Sequence, residues 1–327
     1  MSFKKHLLVM AAGVAMALPL VLPTAASAHR GWILPSATVL SGESAWVGVD
    51  AAVSNELFYA DHNALRLDGV IVTAPDGSVD KVQNPFTGKY RSVFDVQLSK
   101  PGTYKIGSAS NTIMASWTEN GEVKRFRGSP EDFAKQVPAN ATDLKTIKSA
   151  NRNETFVTRD APTTTVFKPT GKGLELVPVT HPNDLVAGEA ATFKFLLDGK
   201  PAADLEVTFA PGNSRYRASP GDFKVKTGPD GAVKFTLPEA GMYWMNATVR
   251  SGETGRRPGG EGGGPGGPGG PGGPGGGEGG PRPAGAPPMG GMPGMGGPGG
   301  GQQGPATPLA GNGMSASYTA TLEAQRP

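Results

Sequence analysis

The apolar positions of this chain recur mostly at every second residue, not at every third or fourth. Between residues 90 and 98, Tyr90, Phe94, Val96 and Leu98 fall on even positions. Leu205, Val207 and Phe209 alternate with polar neighbours, as do Val233, Phe235 and Leu237, and then Tyr243, Met245, Ala247 and Val249. A period of two sends successive side chains to opposite faces of a strand, so each run predicts a strand with one buried face. Residues 44–49 and 65–73 are rich in branched or aromatic side chains, which suit a pleated, half-buried surface. Between these runs lie Pro75-Asp76-Gly77, Pro101-Gly102 and Asp198-Gly199. Proline presets φ and glycine accepts positive φ, so these are turns with a mechanism. Many short strands separated by tight turns predict an all-β chain built of antiparallel, immunoglobulin-like sandwiches.

The pattern is interrupted twice. Residues 128–170 are polar and threonine-rich after Ser129-Pro130-Glu131-Asp132-Phe133, where serine can cap a short helix with proline at its first position. The expectation is an N-terminal β-sandwich domain over 29–127, a connecting segment over 128–170, and a second β-sandwich domain over 171–327. Residues 252–313 form the other break, with Pro265, Pro268, Pro271 and Pro274 each followed by two glycines. Such composition has little to bury and predicts a disordered Gly/Pro-rich loop. The alternation returns at Tyr318, Ala320 and Leu322, so the loop reads as an insertion before the last strand. Closure entropy rises only logarithmically with loop length, and a domain tolerates it.

The first 28 residues carry a secretory pattern: Lys4 and Lys5, an apolar run from Leu7 to Leu22, and Ala26-Ser27-Ala28 as a small-residue cleavage motif. The expectation is a signal peptide over 1–28, export to the periplasm, and no membrane span after cleavage, since no later stretch has the ~20 apolar residues needed. Loss of Lys4 and Lys5 takes 31 basic residues to 29 against 28 acidic ones, a net of +1. No basic stripe interleaved with aromatics appears, so a nucleic-acid partner is not expected. The absence of cysteine excludes disulfides, thiolate metal sites and thiol catalysis. There is no nucleophile elbow, phosphate loop or glycosidase pair, and the chain reads as a non-enzyme. Arg215-Tyr216-Arg217 is either an anion-binding group or a charged strand face.

Cleavage after Ala28 would make His29 the first residue. A terminal histidine offers its α-amine and Nδ1 together, a chelating pair of nitrogens, and one more histidine would complete a three-nitrogen set. Only His62 and His181 remain to supply it. His62 sits in Tyr59-Ala60-Asp61-His62-Asn63, as a ligand oriented by Asp61 or as a locally bonded loop residue. His181, before Pro182, is a ligand or a turn residue. Asp61 is a weaker oxygen candidate. Met289, Met292 and Met295 could converge on a soft ion such as Cu(I), or could be incidental to a low-complexity tract.

Ala28-His29-Arg30-Gly31-Trp32 with Leu34-Pro35 resembles the mature start of a bacterial periplasmic family labelled as nickel/cobalt-uptake accessory proteins, a conserved domain of unknown function. Gly173-Leu174-Glu175-Leu176-Val177-Pro178, Asp198-Gly199-Lys200-Pro201 and Ala240-Gly241-Met242-Tyr243-Trp244 are similar to it as well. The resemblance implies a metal-handling β protein with a transthyretin-like second domain, a ligand role for His29, nickel or cobalt as the metal, and a membrane metal transporter as partner. Ligand chemistry adds copper, because affinity at nitrogen sites peaks there. The expected function is uptake or homeostasis of a divalent transition metal. The alternative is a structural or interaction module of the cell envelope that uses the Gly/Pro arm.

Overall fold

The computed structural model describes residues 29–43, 45–252 and 308–327. The expected signal peptide, the Met289, Met292 and Met295 run and most of the Gly/Pro tract lie outside the described residues. Among the described residues the chain is almost wholly β. In order come β1 (Arg30–Pro35), β2 (Val39–Leu40), β3 (Trp46–Ser54), β4 (Asn63–Ala64), β5 (Val70–Thr73), β6 (Val79–Lys81), β7 (Gln83–Thr87) and β8 (Ser92–Gln97). There follow β9 (Gly102–Glu119), β10 (Glu122–Gly128), the helix α1 (Pro130–Gln136), β11 (Thr142–Arg159) and β12 (Leu174–Pro178). The last are β13 (Ala190–Leu197), β14 (Lys200–Pro201), β15 (Glu206–Pro211), β16 (Phe223–Lys226), β17 (Ala232–Thr236), β18 (Gly241–Gly252) and β19 (Gly313–Ala324). No helix among the described residues is long and apolar enough to cross a membrane.

Two small sheets pack on one long sheet. The long sheet runs β16-β15-β18-β19-β11-β9-β5-β6; β1-β3-β8-β7 form the second sheet and β12-β13-β14 the third. Alternation puts Val47, Val49, Phe94, Val96, Tyr104 and Ile106 into one core. It puts Phe193, Phe195, Val207, Phe209, Phe235, Tyr243 and Met245 into another. At ~25 cal/mol per Å² of apolar surface removed from water, these two clusters supply most of the driving force for folding. Asp198 and Gly199 both have positive φ (49° and 77°), as a two-residue hairpin turn requires.

The segment expected only to connect the halves joins them within one sheet. Its helix forms as its residues indicate, with Ser129 Oγ accepting from the Asp132 amide at 3.0 Å. Beyond it, β11 is an 18-residue strand, antiparallel to β9 on one side and parallel to β19 on the other. Phe156 enters the second core and Val157 the first, so adjacent residues of one strand serve the two sandwiches on opposite faces. Two smaller expectations also shift. Tyr90 precedes β8 and is exposed, and within 65–73 only Val70–Thr73 is strand, because the Val70 amide closes a turn onto the Leu67 carbonyl at 2.9 Å.

Candidate functional site

β1 and β4 approach the end of β3 from its two sides: Gly31 and Asn63 are both partners of Val53. His29 immediately precedes β1 and His62 immediately precedes β4, so the pairing brings the two histidines together. Their rings stack with centroids 3.9 Å apart and planes 28° from parallel. His29 is exposed and His62 half-buried.

The loop that presents His62 is held by its own polar groups. Asp61 accepts from the Asn55 amide at 2.8 Å and from the Glu56 amide at 3.2 Å. Ser54 Oγ donates to the Glu56 carbonyl at 2.6 Å and receives Trp32 Nε1–H at 2.7 Å. Each carboxylate oxygen of Asp61 thus accepts one backbone N–H of the loop, which makes it a positioning residue for His62. Phe58 takes a positive φ of 63°, uncommon for a bulky side chain, and packs edge-on against Trp32 at 5.7 Å.

The second sandwich clamps this corner. Trp32, Ala52 and Leu57 form a third apolar cluster with Ala210 and Trp244. Trp244 Nε1 donates to the Gly31 carbonyl at 3.0 Å. Arg30 pairs with Asp222 at 2.6 Å and lies 5.1 Å from the centre of the Trp244 ring. Arg215 meets Glu56 through Nε at 2.8 Å and Nη2 at 2.7 Å, with its guanidinium 4.1 Å above Tyr59. Desolvation and a hydrogen bond with Tyr216 raise the Tyr59 phenol. Arg217 bonds Glu239 and the Gly212 carbonyl. Arg215 and Arg217 are therefore paired within the chain and not offered to an anion. The Trp244, Asp222 and Ser54 contacts were not foreseeable, since each depends on strand register between distant segments. Trp244 alone carried a signal, as the end of a family-like stretch.

His181 is placed differently. Its Nδ1 accepts from the Asn183 amide at 3.1 Å, which leaves the proton on Nε2, beside Thr103 Oγ1 at 3.0 Å and the Thr163 carbonyl at 3.3 Å. Phe167 meets the ring edge-on at 5.3 Å. Burial lowers its pKa against the opposing pull of Asp184 and the Thr163 carbonyl. Both nitrogens are engaged in a polar knot with Thr103, Thr158 and Asn183, and the ring does not join His29 and His62. Among the described residues no three His, Asp or Glu side chains are grouped to hold a metal ion. The side chains alone therefore contribute a pair of imidazoles.

A family model described as a domain of unknown function, DUF4198, matches residues 26–251. The chain belongs to that family. The DUF4198 match spans the histidine pair, the clamp and both small sheets. No curated protein matches the chain. Among solved structures, trypsin-activated alpha-2-macroglobulin from Escherichia coli is similar at 11% identity over 68% of this chain and 14% of its own, with a TM-score of 0.19. The D0-D1 domain of intimin is similar at 12% identity over 66% of this chain and 88% of its own, with a TM-score of 0.17. This DUF4198 chain thus spans about a seventh of the macroglobulin's length, and at these TM-scores neither likeness carries an argument.

Proposed function

We propose that the protein is exported, is cut after Ala28, and captures a divalent transition-metal ion at its new terminus for uptake or homeostasis in the periplasm. The observation that supports this reading is the 3.9 Å stacking of His29 on His62. In the cut form the α-amine and Nδ1 of His29 would supply two nitrogens and the His62 imidazole a third. Neutral nitrogen donors suit nickel, cobalt and copper, with affinity rising along that series from cobalt to copper. The resemblance of Ala28-His29-Arg30-Gly31-Trp32 to nickel/cobalt-uptake accessory proteins favours the first two metals, with a membrane transporter as recipient. Met289, Met292 and Met295 would add soft donors for reduced copper. Asp61 and His181 fall outside the set, being committed to the loop and to the polar knot.

Calorimetric titration of protein beginning at His29 with Ni(II), Co(II) and Cu(II) tests this, beside a version with one extra residue before His29 and a His62→Ala variant. Binding abolished by the extra residue and weakened by His62→Ala is expected. Equal binding by all three proteins would place the metal elsewhere, and no binding by any would end the proposal.

A further inference from the structure

Among the described residues, the second sandwich packs on the outer face of the first small sheet at its Trp32 end. Further along, Trp46, Gly48 and Asp50 of β3 share that face with Val93, Asp95 and Gln97 of β8 and with Phe86 of β7, through the pairs Trp46↔Gln97, Gly48↔Asp95, Asp50↔Val93 and Phe86↔Val93. A groove of about 340 Å³ crosses this open stretch; Leu34, Gly48, Asp50, Asn84, Val93 and Asp95 are among the residues lining it.

Gly48 is the first sign of a ligand. It sits within a nine-residue strand, and a Cβ there would meet only Asp95 Oδ1, at an ordinary 3.9 Å. Neither packing nor a positive φ calls for glycine, and glycine weakens a strand relative to residues with a side chain. What its absence of side chain does is keep the groove floor bare. The second sign is the set of acceptors around that floor. Asp95 Oδ2 is fixed by Asn84 Nδ2 at 2.9 Å, leaving Oδ1 as the atom nearest the bare position. Asp50 is held by Arg91 at 3.4 Å. The third is aromatic. Trp32, Trp117 and Trp244 are buried, whereas Trp46 is 45% and Phe86 68% exposed, both on this face and flanking the groove outside its lining.

We propose that the groove binds sugar rings of an oligosaccharide. Carboxylates accept and cannot donate, so they call for a ligand rich in donors. Arg91 offsets the charge of Asp50, so among the described residues the groove keeps a single uncompensated carboxylate, Asp95, which gives little purchase to a purely cationic ligand. The exposed rings call for an apolar surface to cover them. A pyranose ring meets both demands, with hydroxyl donors at its edge and C–H groups on its faces. This site is separate from the histidine pair and does not depend on the metal reading.

The test titrates chitohexaose and cellohexaose into the parent protein, Gly48→Val and Trp46→Ala, by calorimetry and tryptophan fluorescence, with melting temperatures measured in parallel. Saturable binding of at least one glycan is expected, weakened roughly tenfold or more by each substitution, while Gly48→Val melts no lower than the parent. Failure of both glycans to bind at millimolar concentration, or equal binding by all three proteins, would overturn the proposal. A lower melting temperature for Gly48→Val would remove the argument for a bare floor. Preferential, salt-sensitive binding of hexalysine would make the groove a seat for basic peptides instead.

Discussion

Replacing Tyr318 by phenylalanine takes one oxygen from the seam between the sandwiches and leaves the ring where it is. Tyr318 is fully buried on β19, and its hydroxyl donates to Glu154 Oε2 on β11 at 2.7 Å. Among the described residues the other Glu154 oxygen is approached by Arg152 Nη1 at 3.7 Å and Lys105 Nζ at 3.9 Å, too far for hydrogen bonds. Burial first, and then the negative charge of Glu154, hold the phenol well above its usual range, so it remains a donor wherever the protein is folded. The ring keeps its contact with Phe195 at 5.9 Å, and the substitution opens no cavity larger than a hydroxyl. The loss is therefore one hydrogen bond to a charged, 7% exposed carboxylate, about 1.5–3 kcal/mol. For a folded body of this size that lowers Tm by roughly 3–12 °C. Thermal and urea unfolding followed by circular dichroism at neutral pH would measure it. A loss below about 0.5 kcal/mol would show that Arg152, Lys105 or water satisfies Glu154 without the phenol, refuting the assignment.

Other outcomes follow from the same contacts. His181 is held below its usual pKa by burial, so the unfolded chain takes up this proton at higher pH than the folded protein does. Its stability contribution is full above about pH 6.5 and falls as acid brings the solution through the folded-state value; the drop in urea midpoint between pH 7.5 and pH 5 should be smaller in His181→Asn. Gly231→Ala should cost about 2–4 kcal/mol in urea unfolding, because Gly231 has a φ of 74° and a Cβ would lie 2.5 Å from the Phe195 carbonyl oxygen. Trp244→Phe should lower stability by about 1 kcal/mol through loss of its bond to the Gly31 carbonyl. It should also weaken terminal metal binding in calorimetry, whereas His181→Asn should leave that binding unchanged.

What could be read in advance follows from how each segment is buried. Leu205, Val207 and Phe209, or Val233, Phe235 and Leu237, face one core while their neighbours face water, so a period of two is written into them. β11 has no such contrast. Its polar residues Glu154, Thr155, Thr158 and Arg159 are buried, and their partners are the Tyr318 hydroxyl, the Thr321 carbonyl, Asn183 and the Leu98 and Ser99 carbonyls. A buried polar residue whose partner lies far along the chain looks, in sequence, like a residue of a loop. The candidate histidines divided along the same line. His29 and His62 meet because β1 and β4 both pair with β3, a matter of register that composition does not carry. His181 was consumed by threonines and an asparagine whose convergence no local motif announces.

β18 and β19 stay paired up to the junction, the last residue of β18, Gly252, opposite the first of β19, Gly313. The chain leaves the sheet after Gly252 and is back on it by Leu309, whose amide donates to Ser116 Oγ of β9 at 2.8 Å, so both ends of the intervening stretch are fixed by the sheet. That makes the junction a natural attachment port for a fluorescent protein, an affinity tag or a surface anchor, since loop length is thermodynamically inexpensive. Along β18 the port is eight residues from Trp244, about 27 Å at strand spacing. A reporter grafted there would leave the amino-terminal corner unobstructed.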